Sequence, residues 1–218
     1  MPLIEASSGN GELEAMDIQD ARTGGADGNE RLTAATAVML LLLLAAEGVT
    51  ILFLRPLLSE HIFIGMLLIP PVALKTASTG WRFLRYYSGD RSYRTKGPPM
   101  LPLRLLAPLV VASTLAVFAT GIALLIQGPR HGFVLGLHKA SFIVWLVATG
   151  IHVLAYVWRI PALAASDWRR RDPEHLGGSF TRRTLLAGAL VAGVVLALAT
   201  ARYAQPWVHW QSGFHGDH

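Results

Sequence analysis

Five apolar runs, each long enough to cross a lipid bilayer as a helix, constrain this chain more than any other feature. They cover residues 34–54, 61–83, 105–127, 133–158 and 184–203. A hydrocarbon core of ~30 Å takes ~20 helical residues to cross. Lipid offers the backbone no hydrogen bonds, so such runs must be helical. The sequence therefore predicts an all-α transmembrane bundle of about five spans.

The polar ends set the boundaries of that bundle. Residues 1–33 contain seven acidic side chains against two arginines, a composition typical of disordered segments. We therefore expect a disordered acidic cytoplasmic tail without a cleavable signal peptide. The five-helix domain follows at 34–204. Residues 205–218 form a short external tail, in which Trp207 and Trp210 are typical of an interfacial anchor.

Basic residues in the loops predict the orientation of the spans. Loops 82–104 and 159–183 carry six basic residues each, whereas loops 55–60 and 128–132 carry one arginine each. With five spans, the two basic loops lie on the same side, which the positive-inside rule places in the cytoplasm. The N-terminus is then inside and the C-terminus outside. Topology accounts for the net charge of +5, and we expect no nucleic-acid partner.

The chain contains no cysteine. This excludes disulfides, cysteine-bound zinc, iron–sulfur clusters held by this chain and covalent attachment of a c-type haem. A metal cofactor must therefore be held by histidine or by another ligand that is not a thiol.

Ionisable side chains inside the spans are costly and call for a reason. His138 and His152 are fourteen residues apart on the fourth span, which is about 21 Å along a helix axis. Fourteen residues are two heptads, so both imidazoles lie on nearly the same helix face. This is the geometry needed to bind two stacked haems, one in each half of the membrane.

The second span runs parallel to the fourth and offers His61 at its outer end. His61 and His138 are therefore candidates to share an outer haem. Lys75 follows His61 by fourteen residues and lies at roughly the depth of His152. Lys75 either binds an inner haem as a neutral amine, or pairs with a haem propionate or another anion, or there is no inner haem and His152 serves packing.

Two further charged residues lie near the expected outer site. Glu47, on the first span, is either an acceptor for a quinol proton or a structural partner of a basic residue. Lys139, next to His138, either neutralises a propionate or extends towards the membrane surface.

Five segments of the chain carry a family resemblance: 61–90 (HIFIGMLLIPPVALKTASTGWRFLRYYSGD), 96–99 (KGPP), 104–121 (RLLAPLVVASTLAVFATG), 137–142 (LHKASF) and 152–156 (HVLAY). Together they resemble bacterial membrane cytochrome b proteins, namely the ferric-reductase-like and hydrogenase-type cytochrome b subunits. The resemblance covers about 60–158.

The resemblance implies one or two b haems, bound without covalent attachment, and a non-catalytic electron-transfer subunit in the bacterial cytoplasmic membrane. Its partners would be a quinone and a redox protein such as a molybdopterin oxidoreductase. The haem histidines map onto His61, His138 and His152. The chain departs from the ferric-reductase pattern at Lys75, where a fourth histidine is expected, and it has no glycine-rich phosphate loop for a nicotinamide or flavin domain.

Two other functions are compatible with the same sequence. The chain is either a haem-free membrane anchor or assembly subunit, whose polar residues serve helix packing, or a small transporter or proton channel with Glu47, Lys75 and His152 as relays. The colour of the purified protein separates the first alternative from a cytochrome, and ion flux identifies the second.

Overall fold

The computed structural model describes residues 25–94, 101–129, 132–157 and 179–213. These residues are helical apart from short turns, and they contain no strand. The helices long enough to span a membrane are α1 (Gly25–Leu52), α2 (Leu58–Tyr87), α3 (Leu101–Gln127), α4 (Gly132–Val157) and α5 (Ser179–Thr200). One helical turn, Arg91–Arg94, follows α2, and a 3-10 turn, Ala201–Ala204, joins α5 to α6 (Gln205–Gly213).

Five helices are long and apolar enough to cross a membrane, as the apolar runs predict. Large apolar side chains stay exposed along them, among them Leu42, Leu115, Ile143 and Leu198. Such surfaces are stable against lipid rather than against water. The prediction of an all-α bundle with five spans is confirmed, and the chain is a multi-pass membrane protein.

The first helix begins earlier than its apolar run. It starts at Gly25, so it includes 25–33, which the sequence assigned to the polar tail. The reason is a set of hydrogen bonds to α2: Asn29 Nδ2 donates to the Ser78 carbonyl at 3.1 Å, and Thr33 Oγ1 donates to Ser78 Oγ at 3.1 Å. The disorder predicted for residues 1–24 lies outside the described residues.

Helix α2 is the centre of the bundle and packs against both α1 and α5. The close approach to α5 depends on Gly193, where an added Cβ would collide with the backbone carbonyl of Leu67. Ala197 follows one turn later and is also buried. Small residues four apart let two membrane helices approach closely, which explains how α2 and α5 pack without bulky side chains between them.

Apolar side chains of four helices pack together in an apolar layer. Met66 and Leu67 of α2, Leu125 of α3 and Ala197 of α5 form its buried core. Isoleucine, leucine, valine and phenylalanine side chains from these helices and from α1 surround it. On α2 this layer lies between His61 and Lys75, and all residues between these two are apolar.

Helices α3 and α4 form a hairpin that packs mainly on itself. It meets the other helices chiefly through α3, whereas α4 makes few close backbone approaches to α2. The hairpin turn contains Gly128, whose φ of 76° is the left-handed conformation that ends a helix. Side chains of α2 and α4 therefore face each other across a wider space than those of the directly packed helices.

The segment predicted as an external tail is part of the fold over 205–213. It forms α6, and Trp207 is buried, with Nε1 donating to the Leu124 carbonyl at 3.2 Å. That carbonyl also accepts from Gly128 N–H at 2.9 Å, so the tryptophan binds to the C-terminal turn of α3. Trp210 is exposed, as an interfacial residue would be.

Candidate metal centre

Two histidines predicted as ligands face each other between α2 and α4. The ring centroids of His61 and His138 are 6.5 Å apart, with an angle of 68° between the ring planes. His61 lies in the first turns of α2, and His138 lies in the second turn of α4. Parallel spans bring the two imidazoles to the same depth, as the sequence analysis expects.

A buried carboxylate of α1 holds His61. Glu47 Oε1 lies 2.7 Å from His61 Nδ1, and Glu47 Oε2 accepts a hydrogen bond from Thr50 Oγ1 at 3.1 Å. An ionised carboxylate only accepts hydrogen bonds, so Nδ1 carries the proton of a neutral His61 ring. The lone pair is then on Nε2. Glu47 acts here on His61, and it also lies within electrostatic range of His138.

A hydroxyl group of α3 holds His138. Thr120 Oγ1 lies 3.0 Å from His138 Nδ1 and donates its own hydrogen to the Ala116 carbonyl at 2.7 Å. Because that hydrogen is used, the threonine oxygen accepts from Nδ1–H of His138. The Ser141 hydroxyl lies 3.3 Å from Thr120 Oγ1 and completes the cluster. The lone pair of His138 is again on Nε2.

Gly121 makes room for the His138 ring. A Cβ added at this position would lie 3.2 Å from His138 Cε1 and 3.7 Å from Nδ1. The first distance is shorter than ordinary carbon contacts, so any side chain at 121 would push the ring. The pair Thr120-Gly121 therefore sets both the position and the tautomer of His138.

These contacts fit a pair of axial ligands. The side-chain contacts of both histidines are made through Nδ1, and His138 also has a hydrogen bond with the Val117 backbone. Metal-bound histidines typically donate their other ring N–H to a carboxylate or another acceptor, as both histidines do here. Two imidazoles that bind one iron at about 2 Å each place their ring centres about 6 Å apart, close to the observed separation. The angle between the rings is also compatible, because each ring can turn about its metal–nitrogen axis.

The second pair of predicted site residues lies on the other side of the apolar layer. Lys75 Nζ donates to the Thr33 carbonyl at 2.9 Å. It is also within electrostatic range of His152 on α4. In this structure Lys75 acts as a hydrogen-bond donor to α1, whereas the rings of His61 and His138 face each other.

The remaining predicted residue, Lys139, is exposed. It forms no ion pair or hydrogen bond with other residues in the described segments. In the same segments, no three histidine, aspartate or glutamate side chains converge as a non-haem metal centre requires. A haem iron takes its remaining four ligands from the porphyrin, so two histidines are enough for it.

No family model, curated protein or solved structure matches this chain. The resemblance to membrane cytochrome b proteins therefore rests on the residues quoted above.

Three residues of the site were not found by sequence reasoning: Thr50, Thr120 and Gly121. Each is a small or polar residue inside an apolar run, a class that helix packing alone often explains. The sequence does contain an indication of these residues: Thr50 stands three residues after Glu47, and Thr120 is followed by a glycine.

Proposed function

We propose that the chain is a membrane electron-transfer protein that binds haem b, with His61 and His138 as axial ligands. The observation that supports this most is the facing pair of imidazoles, each held through Nδ1 and each with Nε2 directed away from that contact. Two helices that are not packed directly together provide these histidines, which leaves lateral space for a planar group.

In this function the protein orients the two histidine ligands, protects the site and tunes the iron. Glu47 and Thr120 fix the tautomer and the rotation of the two rings. The apolar layer around Met66 and Leu67 lies between His61 and Lys75 along α2. A bound haem b supplies one-electron exchange, and the carboxylate of Glu47 stabilises positive charge near its iron.

The proposal assigns one haem, at the His61 end of the bundle. Lys75 binds the Thr33 carbonyl and is not used as a ligand, so a second haem would have His152 alone from the described residues. A quinone is the proposed small redox partner, and Glu47 is a candidate acceptor for the proton that a quinol releases. By the positive-inside rule, the loop charges predict that the His61 end faces the outer side of a bacterial cytoplasmic membrane, and a protein such as a molybdopterin oxidoreductase is the other proposed redox partner.

Difference spectroscopy of purified protein tests the proposal. We expect a reduced-minus-oxidised spectrum with the α-band of b haem, and noncovalent haem that is extracted by acidic solvent. His61→Ala and His138→Ala should each remove most of this band. His209→Ala is the matched control, because His209 is exposed on α6, away from the histidine pair, and should keep it. The proposal would be overturned if the purified wild-type protein is colourless and binds no haem when haem is added back.

The same measurement gives the number of haems. One haem per chain, unchanged by His152→Ala, is the expected result. Two haems per chain, reduced to one by that substitution, would contradict the assignment of a single site while keeping the function.

A further inference from the structure

A lysine without a counter-charge lies inside the bundle. Lys75 is on α2, and its Nζ donates to the Thr33 carbonyl at 2.9 Å. Among the described residues, no carboxylate forms an ion pair with it. Tertiary contacts with α1 thus give the ammonium group one neutral acceptor, although an ammonium carries three donors.

Lys75 is too deep to reach the membrane surface. It stands twelve residues before the end of α2 at Tyr87, which is about 18 Å along the helix axis. Lysines near helix ends extend to the surface to avoid lipid, but the Lys75 side chain points to α1. Charged groups at such depth mark binding or transport sites more often than structural ones.

One shielded hydroxyl on the facing helix stands apart from the other threonines. Thr36, Thr114, Thr120 and Thr200 each donate to the backbone carbonyl four residues earlier. Thr50 donates to the Glu47 carbonyl and Thr33 to Ser78 Oγ. The Thr149 hydroxyl is shielded from solvent, yet it has no hydrogen-bond partner within the described residues. A shielded hydroxyl without a partner is costly, which indicates that it serves a group other than its own helix.

These groups share one region of the bundle. Thr149 precedes His152 by three residues, so the two side chains lie on the same face of α4. His152 is within electrostatic range of Lys75. The face that Lys75, Thr149 and His152 form, the Lys75 face, is rich in hydrogen-bond donors. The neighbouring side chains Ile151 and Leu154 are exposed and apolar, so a ligand would reach this region through lipid.

We propose that the Lys75 face binds an anionic oxygen of a lipid-soluble molecule, either a carboxylate or an ionised ring hydroxyl. The two remaining donors of the ammonium group and the Thr149 hydroxyl match the lone pairs of such an oxygen. The anion supplies the counter-charge that Lys75 lacks among the described residues. On α2 this site lies fourteen residues from His61 and does not depend on the proposed haem function.

Hydrogen bonds behind Lys75 keep it in place for this role. Ser78 Oγ donates to the Lys75 carbonyl at 3.0 Å, and Thr33 Oγ1 donates to Ser78 Oγ. Asn29 Nδ2 donates to the Ser78 carbonyl. These contacts join the N-terminal part of α1 to α2, so the lysine is fixed against α1 on one side and open towards α4 on the other.

Equilibrium binding to the purified full chain in nanodiscs tests the site. The probes are radiolabelled dodecanoate, an acidic hydroxynaphthoquinone with an alkyl chain, and dodecanol as the neutral control. We expect saturable binding of at least one acid, at least tenfold tighter than that of dodecanol. Which of the two acids binds identifies the source of the anionic oxygen.

The variants connect binding to the named residues. Lys75→Met should weaken binding of the acid at least tenfold, and Lys75→Arg should restore part of it. Thr149→Val should weaken it severalfold, whereas Thr200→Val, the same change on α5, should not. His138→Ala removes a proposed haem ligand but leaves this binding intact, so failure of one proposal is distinguished from failure of the other.

Two results would overturn the inference. One is equal affinity for dodecanol and for both acids. The other is unchanged acid binding in Lys75→Met. If that variant does not fold, by circular dichroism and gel filtration, Thr149→Val alone decides: affinity equal to wild type rejects the site.

Discussion

The two histidines of the candidate metal centre differ in the group that holds them. A buried carboxylate, Glu47, accepts from His61, whereas a neutral hydroxyl, that of Thr120, accepts from His138. A charged acceptor makes an imidazole a stronger electron donor than a neutral acceptor does. The His61 side therefore has the larger influence on the electronic properties of a bound iron.

The charge of Glu47 should set the redox potential. Glu47→Gln keeps an acceptor for His61 Nδ1–H but removes the negative charge that favours oxidised iron. We expect the midpoint potential of the bound haem to rise by about 60 mV, the equivalent of a tenfold change for one electron. Redox titration monitored by absorbance measures this shift.

Glu60→Gln is the matched control for the potential, because Glu60 is exposed at the start of α2, the helix that carries His61. Equal potentials for the two variants would contradict a tuning role for Glu47.

The space at Gly121 should decide whether haem binds. Gly121→Val places branched carbon atoms against the His138 ring, which has no slack at that position. We expect a drop in haem content of about tenfold or more, the range seen when groups that orient metal ligands are changed. Gly136→Val, on α4, is the control, because a side chain there meets nothing within 4 Å. If the haem content falls equally in both variants, the cause would be the change in helix propensity and not contact with the His138 ring.

At the level of elements, the sequence predicted every membrane helix but not its ends. Hydropathy measures the transfer of each residue from water to lipid, so the five apolar runs were found. It does not count polar contacts between helices, and these extend α1 back to Gly25 through Asn29 and Thr33. For the same reason the burial of Trp207, which depends on the Leu124 carbonyl, was not predicted.

Packing of α2 against α5 should fail when Gly193 is enlarged. Gly193→Leu would force the helices apart at Leu67, because the clash is with backbone rather than with a flexible side chain. We expect a loss of stability of about 1–3 kcal/mol, typical of overpacking, measured by unfolding in a detergent titration. Gly188→Leu on the same helix meets nothing within 4 Å and should be nearly neutral. Equal losses in the two variants would contradict the packing role.

At the level of the whole molecule, the sequence predicted which histidines meet but not the network around them. The fourteen-residue spacings and the parallel direction of α2 and α4 led to His61 and His138. The depth of Glu47 suggested the same region. Its pairing with His61 depends on the rotation of α1 about its own axis, and the nearly uniform apolar sequence of that helix does not encode a preferred face.

Orientation is testable because the natural chain contains no cysteine. Ser59→Cys and Ser88→Cys place single thiols at the exposed ends of one helix, α2. The loop charges predict that an impermeant maleimide labels Ser59→Cys in intact cells and labels Ser88→Cys after the cells are opened. The reverse labelling pattern would mean that the chain has the opposite orientation, with the His61 end facing the cytoplasm and the Lys75 end facing outside.

The apolar layer should also prevent proton flow through the chain. All residues of α2 between His61 and Lys75 are apolar, and protons need a continuous path of polar groups or water. We expect proteoliposomes with valinomycin to acidify no faster than empty liposomes, measured with a trapped pH-sensitive dye. Gramicidin is the positive control. Flux above that of empty liposomes would favour the transporter alternative over the cytochrome.

The bond from Trp207 to Leu124 has a consequence for how the molecule is assembled. The hairpin that carries His138 has few attachments to the three helices that include His61, and one of them is made by the last helix of the chain. Synthesis completes this attachment last, so we expect the two histidines to become fully aligned only after the C-terminal helix has docked.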